Sequence, residues 1–79
     1  MKIHELKISP EYFEDVRWNN KRFELRKDDR DFEVGDMIRL FEYKDGKYTE
    51  RKTGVYEIRY ILRNCPEYGL AEGYCILGL

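Results

Sequence analysis

Apolar and polar positions alternate from Lys2 to Ile8, with His4, Leu6 and Ile8 on one side. That period of two predicts a short first strand. Ser9-Pro10 follows and reads as a helix start, since proline at the first helical position gives up an N–H that has no intrahelical partner anyway. Tyr12, Phe13 and Val16 then fall on one helical stripe, and Glu11, Glu14 and Asp15 favour the N-terminal half of the helix. Asn19-Asn20 marks its end, because asparagine tolerates the left-handed backbone of a helix stop. In the next strand Phe23 and Leu25 share one face and Arg22, Glu24 and Arg26 the other. Hydrophobicity predicts Phe23 and Leu25 toward the core. Asp28 to Gly35 makes a charged loop around Phe32 and Val34, and Gly35-Asp36 leads into a strand from Met37 to Lys44. Asp45-Gly46 predicts a hairpin to a strand around Lys47–Arg51. Val55 to Arg63 alternates again and predicts a long strand, Asn64 to Gly73 is a loop, and Tyr74 to Leu79 closes the chain. The order β-α-β-β-β-β-β predicts one mainly β (α+β) domain over residues 1–79, a small barrel capped by its single short helix. Closure of the barrel removes exposed strand edges.

Composition supports a folded core. With 42% apolar and 15% aromatic residues in a chain of 79, disorder is excluded and a second domain does not fit. The net charge of −1 excludes a uniformly basic nucleic-acid binder, yet the distribution is uneven. Between Arg17 and Arg30 six basic residues face three acidic ones, giving +3; the rest of the chain, with nine basic and thirteen acidic, is −4. A local positive site on an acidic body still attracts an anion. The start, MKIHELKI, lacks the apolar run of a signal peptide and no segment is long enough to span a membrane, so a cytoplasmic location without membrane contact is expected. Cys65 and Cys75 stand too far apart for a zinc site with the single His4, and two reduced, partly buried thiols are expected, with no metal and no cofactor. The oligomeric state is not encoded in any of these features.

The chemistry concentrates on the charged side of the second strand. If that side met water, Arg22, Glu24 and Arg26 would form only weak surface ion pairs. If the helix and the Asp28–Phe32 loop folded over it, the result would be a cleft. There, guanidinium groups suit phosphate or the Hoogsteen edge of guanine, and Glu24 suits a base amino group. Lys21, by alternation, would point inward with Phe23; as part of the turn after Asn20 it is free to swing toward Glu24, to neutralise a phosphate or act as a base. Arg22, Arg30 and Trp18 are the outer contacts, Trp18 as the candidate for stacking on a base. No second histidine or paired serine completes a catalytic triad, and no glycine-rich phosphate loop is present.

These residues carry a resemblance. HELKI, the short helix and NNKRFELRKDDRDFEVGD together resemble the ASCH domain of the PUA-like superfamily, whose pattern places a glycine-lysine-x-x-glutamate-x-arginine motif after the first helix and a glycine-aspartate before a later strand. The matching residues are Lys21, Glu24, Arg26 and Gly35-Asp36, with Asn20 in place of the motif's glycine. In particular the chain resembles a compact bacterial and phage ASCH-like group of unknown function that shares the FELRK strand and the GYCILGL end. The resemblance implies a PUA-like β-barrel of five to six strands and an RNA- or nucleotide-binding module that uses a cleft between barrel and helix. It also implies an alternative, since some small bacterial members look like acetylcytidine amidohydrolases with a lysine, a threonine and a glutamate. Lys21 matches that lysine, Glu24 occupies the threonine position, and Glu67 or Glu72 would have to supply the glutamate. A third reading is a protein-interaction domain pairing through the Arg/Glu face.

Overall fold

The structure, a computed structural model, describes residues 1–79. Six strands and one helix run in the order β1 (Ile3–Ile8), α1 (Pro10–Arg17), β2 (Phe23–Lys27), β3 (Met37–Lys44), β4 (Lys47–Glu57), β5 (Tyr60–Leu62) and β6 (Tyr74–Gly78). A 3₁₀ turn, Pro66–Tyr68, interrupts the last loop. The mainly β composition with one helix after the first strand agrees with the sequence reading. No helix is long and apolar enough to cross a membrane.

Closure into a barrel is where the molecule departs from expectation. The strands form two three-stranded sheets, ordered β1-β3-β4 and β2-β6-β5. β1 runs parallel to β3, in register from Ile3 with Met37 to Ile8 with Glu42; the other pairings are antiparallel. A parallel pair needs a crossover, and α1 and β2 supply it. The long strand expected from Val55 to Arg63 is broken, and the hairpin strand continues instead from Lys47 to Glu57. At the break the chain passes between sheets. Ile58 N–H donates to Asp36 C=O at 2.8 Å and Gly35 N–H to Ile58 C=O at 2.9 Å, while Arg59 N–H donates to Gly78 C=O across the second sheet at 2.8 Å.

On the other side, β1 and β2 are not joined by backbone bonds. Met37 N–H donates to Lys2 C=O, so even-numbered carbonyls of β1 face β3 and odd-numbered ones face away. Two of those are met by side chains: Arg30 Nη1 donates to Glu5 C=O at 3.0 Å and Arg26 Nη2 to Lys7 C=O. Guanidinium groups bridge the seam that a barrel would close with backbone.

The core lies between the sheets and under the helix. Leu6 and Ile8 of β1, Phe13 and Val16 of α1, Ile38 and Leu40 of β3, Ile58, and Cys75 and Leu77 of β6 are buried, with Phe32 from the charged loop. His4 shares the inner side of β1 as the alternation predicts, and its Nε2 lies 2.9 Å from Asp36 Oδ2. Asp36 also accepts from the Lys2 and Glu33 backbone N–H groups. Its carboxyl is held down to about 2, first by the His4 bond and then by these backbone donors. Since the carboxylate only accepts, His4 Nε2 carries the hydrogen. Both cysteines are buried and free; burial pushes the Cys75 thiol up, reinforced by the nearby Asp28 charge.

Candidate anion-binding cleft

The helix end sets the site. Asn19 adopts φ 63°, and the Asn20 and Lys21 N–H groups both donate to Asp15 C=O at 2.8 and 3.0 Å. The left-handed residue is therefore Asn19, one position before the Asn20 that stands at the motif glycine. This tight stop brings Lys21 to the mouth of β2.

The inward face of β2 is the reverse of the one hydrophobicity predicts. Glu24 stands opposite Leu77 and Arg26 opposite Cys75, both fully buried, so Glu24 and Arg26 point inward and Phe23 and Leu25 outward. Glu24 is only 4% exposed. A buried carboxylate persists only when paired and hydrogen-bonded, and here each oxygen has a cation: Lys21 Nζ on Oε1, Arg26 Nε on Oε2 at 3.1 Å. Lys21 Nζ also donates to Phe23 C=O at 2.8 Å, and it lies 4.8 Å from the Phe23 ring centre and 5.4 Å from that of Tyr12. An ammonium has three donors; two are used, and one remains for a ligand. Two cations on one carboxylate leave the trio at +1. Lys21 has thus swung toward Glu24, as its place in the turn allowed.

Lys21 is also part of the wall of a cleft of about 370 Å³ between the end of α1 and the sheets. Val16 and Asn19 form one side, Val55, Tyr56 and Glu57 of β4 the other, with Arg22, Arg59 and Leu79 at the rim. Tyr56 also borders a shallower basin of about 510 Å³ farther along α1 and β4, where Arg17, Arg51 and Lys52 meet Glu50. The remaining predicted residues divide. Arg22 lines the cleft. Arg26 and Arg30 are engaged with Glu24 and with the β1 edge. Trp18, 64% exposed, caps the helix outside the cleft; its Nε1 donates to Glu14 Oε2 at 3.0 Å, and its ring lies beside Arg17 rather than Lys21. Glu67 and Glu72 sit in the loop beyond Leu62 and Tyr74, at the Lys27 end of β2. Lys21 precedes the opposite end, and the strand between spans roughly 13 Å. Both glutamates therefore belong to the loop at the far end of β2 from Lys21.

Arg59 and Tyr56 belong to the cleft, whereas alternation predicts them only as part of a long strand from Val55 to Arg63. The corner at Ile58–Arg59 brings them there, and no local pattern announces that corner. A second polar network also emerged. Glu42 is buried on the inner face of β3, accepts from Thr49 Oγ1 at 2.6 Å and lies 3.4 Å from Arg51 Nη1; Arg51 Nη2 reaches Glu14 on the helix. The bonds from Arg51 and then Trp18 lower the Glu14 carboxyl, and Glu14 raises Arg51 in return. Here a signal was readable, because Glu42 is an acid on the same alternating face as Ile38 and Leu40.

Residues 3–79 match the family described as a domain of unknown function, DUF3850. The chain belongs to that family. This DUF3850 domain is also similar to an uncharacterized 12.9 kDa protein encoded in the GpA 3′ region of Escherichia phage P2, with 47% identity over 51 residues. The aligned part covers 65% of this chain and 47% of the phage protein, so the match spans about half the length of that relative.

Proposed function

We propose that this DUF3850 domain is an RNA- or nucleotide-binding module that seats phosphate in the cleft between α1 and the two sheets, in an arrangement of the ASCH, PUA-like kind. The observation that carries the reading is the cleft itself: Lys21, Arg22 and Arg59 converge on a concavity with Glu57 as its one acid. Three cations at one mouth draw an anion more strongly than the net charge of the chain suggests. Lys21 is pre-oriented by Glu24 and Phe23 C=O, which reduces the entropy lost when its third donor engages a ligand. Tyr56 and the apolar Val55 and Leu79 give the same concavity a surface for a base. Arg26 takes the role of a positioning residue, holding Glu24 and the β1 edge, while Arg22 and Arg59 are the outer contacts.

Binding of a fluorescein-labelled single-stranded RNA and of a free nucleotide, measured by anisotropy at low and moderate salt, tests this. Arg22→Ala and Arg59→Ala should each weaken binding about 5- to 10-fold, the size of one lost charge-assisted contact. Negligible affinity of the folded wild type for both ligands at low salt would remove the reading.

A further inference from the structure

We infer that the outer face of the second sheet is an interface between two copies of this chain. The outward positions of β2, β6 and β5 stand in rows. Phe23 lies opposite Gly78, which pairs with Tyr60; Leu25 lies opposite Ile76, which pairs with Leu62; Lys27 lies opposite Tyr74. Six of these eight positions are large and apolar, and Lys27 is the single charge. No other layer of the chain packs on them, although Lys21 Nζ lies 4.8 Å from the Phe23 ring at one edge: Phe23 is 48% exposed, Leu25 56%, Tyr60 63%, Leu62 36% and Tyr74 41%. The opposite face of the same sheet, carrying Cys75 and Leu77, is already buried in the core.

The sequences of β5 and β6 match a sheet covered on both sides, while β2 alternates. Tyr60-Ile61-Leu62 and Tyr74-Cys75-Ile76-Leu77 are continuous apolar runs, and strands buried on both faces read that way, whereas a sheet with one wet face alternates. A sheet face is covered by stacking another layer on it. Gly78 keeps the end row flat between Phe23 and Tyr60, since a Cβ there would lie 3.3 Å from the Tyr60 Cβ.

A second copy is the occupant that charge and area favour. A face with one lysine at its corner meets itself about a two-fold axis without burying like charges, and such a contact is self-complementary. The three aromatics alone offer roughly 300 Å², taking about 200 Å² for a whole side chain. With Leu25, Leu62 and Ile76 the patch approaches the upper range of the largest apolar patches on monomers, about 300–600 Å². Two such faces with their rims bury on the order of 1,000 Å², the lower limit for specific association, so the contact is expected to be weak and concentration-dependent, with a Kd on the order of 10 μM.

At a Kd of that order, sedimentation equilibrium of the wild type should give a weight-average mass about 1.8 times 9.7 kDa near 100 μM, where about four-fifths of the chains are paired, and a mass falling toward 9.7 kDa on dilution. Leu25→Lys and Leu62→Lys, adjacent through Ile76, should each weaken association tenfold or more with an unchanged circular dichroism spectrum. Should either lysine variant fail to fold, Tyr60→Ser on the most exposed ring is read in its place. A wild type that stays at 9.7 kDa throughout, or a dimer that persists in the folded variants, overturns the inference.

Discussion

Glu24 is the residue on which the site turns, because it is an acid held inside by two bases. Glu24→Gln removes the charge and keeps the shape, leaving Lys21 and Arg26 half-buried without their counter-ion. Unfolding in urea should show a loss of about 1–3 kcal/mol. Phosphate affinity should move the other way, rising severalfold, since the amide oxygen still accepts from Lys21 and keeps it oriented while the trio loses its negative charge. A variant that loses both stability and binding would place Glu24 in the ligand contact itself. Asp36 gives a prediction of a different kind. Its carboxyl is depressed from 3.8 to about 2, so between those values the group binds fewer protons in the folded chain than in the unfolded one. Its contribution to stability is complete above about pH 4 and is lost as the pH falls through the folded value near 2. Asp36→Asn should lower stability at neutral pH and flatten that acid limb in a pH series of urea midpoints.

At the scale of elements, alternation was legible in the chain and the choice of face was not. β1 shows the favourable case: His4, Leu6 and Ile8 were read as one side, and they are the buried side. In β2 the same logic put Phe23 and Leu25 inward, yet they face out, because a period of two says which residues travel together and nothing about which set faces the core. Pairing with β6 decides it. Leu77 and Cys75 must point inward, Glu24 and Arg26 stand on their rows, and the mutual neutralisation with Lys21 makes that tolerable. The barrel was misjudged for a related reason. Strand signals are local, whereas closure depends on what meets the free edge of β1, and there the loop residue Arg30 and the strand residue Arg26 do so with side chains. β4 ran past its expected end through two register shifts against β3, one of them beside Glu50, which adopts φ 73°. A left-handed glutamate is strained by about 1–2 kcal/mol. Glu50→Gly should therefore leave stability unchanged or raise it by up to about 1 kcal/mol in urea unfolding, whereas glycine at an ordinary strand position lowers it.

Six of the fifteen basic residues lie along one line of the molecule. The cleft and the neighbouring basin share Tyr56 and lie end to end between α1 and β4, with Glu57 and Glu50 in their walls, while Arg51 is engaged by Glu14 and Glu42 and Lys21 by Glu24. From Lys52 to Glu57 the strand alone runs roughly 17 Å, longer than one nucleotide needs, and small single-strand-binding folds cover about 4 nucleotides or more. If phosphate binding occurs along this line, affinity for oligonucleotides should climb from a mononucleotide to about four residues and then level off. The salt dependence should steepen in step, since log K falls with log salt by about 0.7 per neutralised phosphate of a single strand. Arg59→Ala should reduce that slope by about one such increment at every length. Lys52→Ala, at the far basin, should leave the mononucleotide unaffected and reduce the slope only for the longer strands. A slope that is the same for one nucleotide as for four would confine the ligand to the first cleft, and equal effects of the two substitutions on a mononucleotide would mean that the basins act as a diffuse field rather than as successive sites.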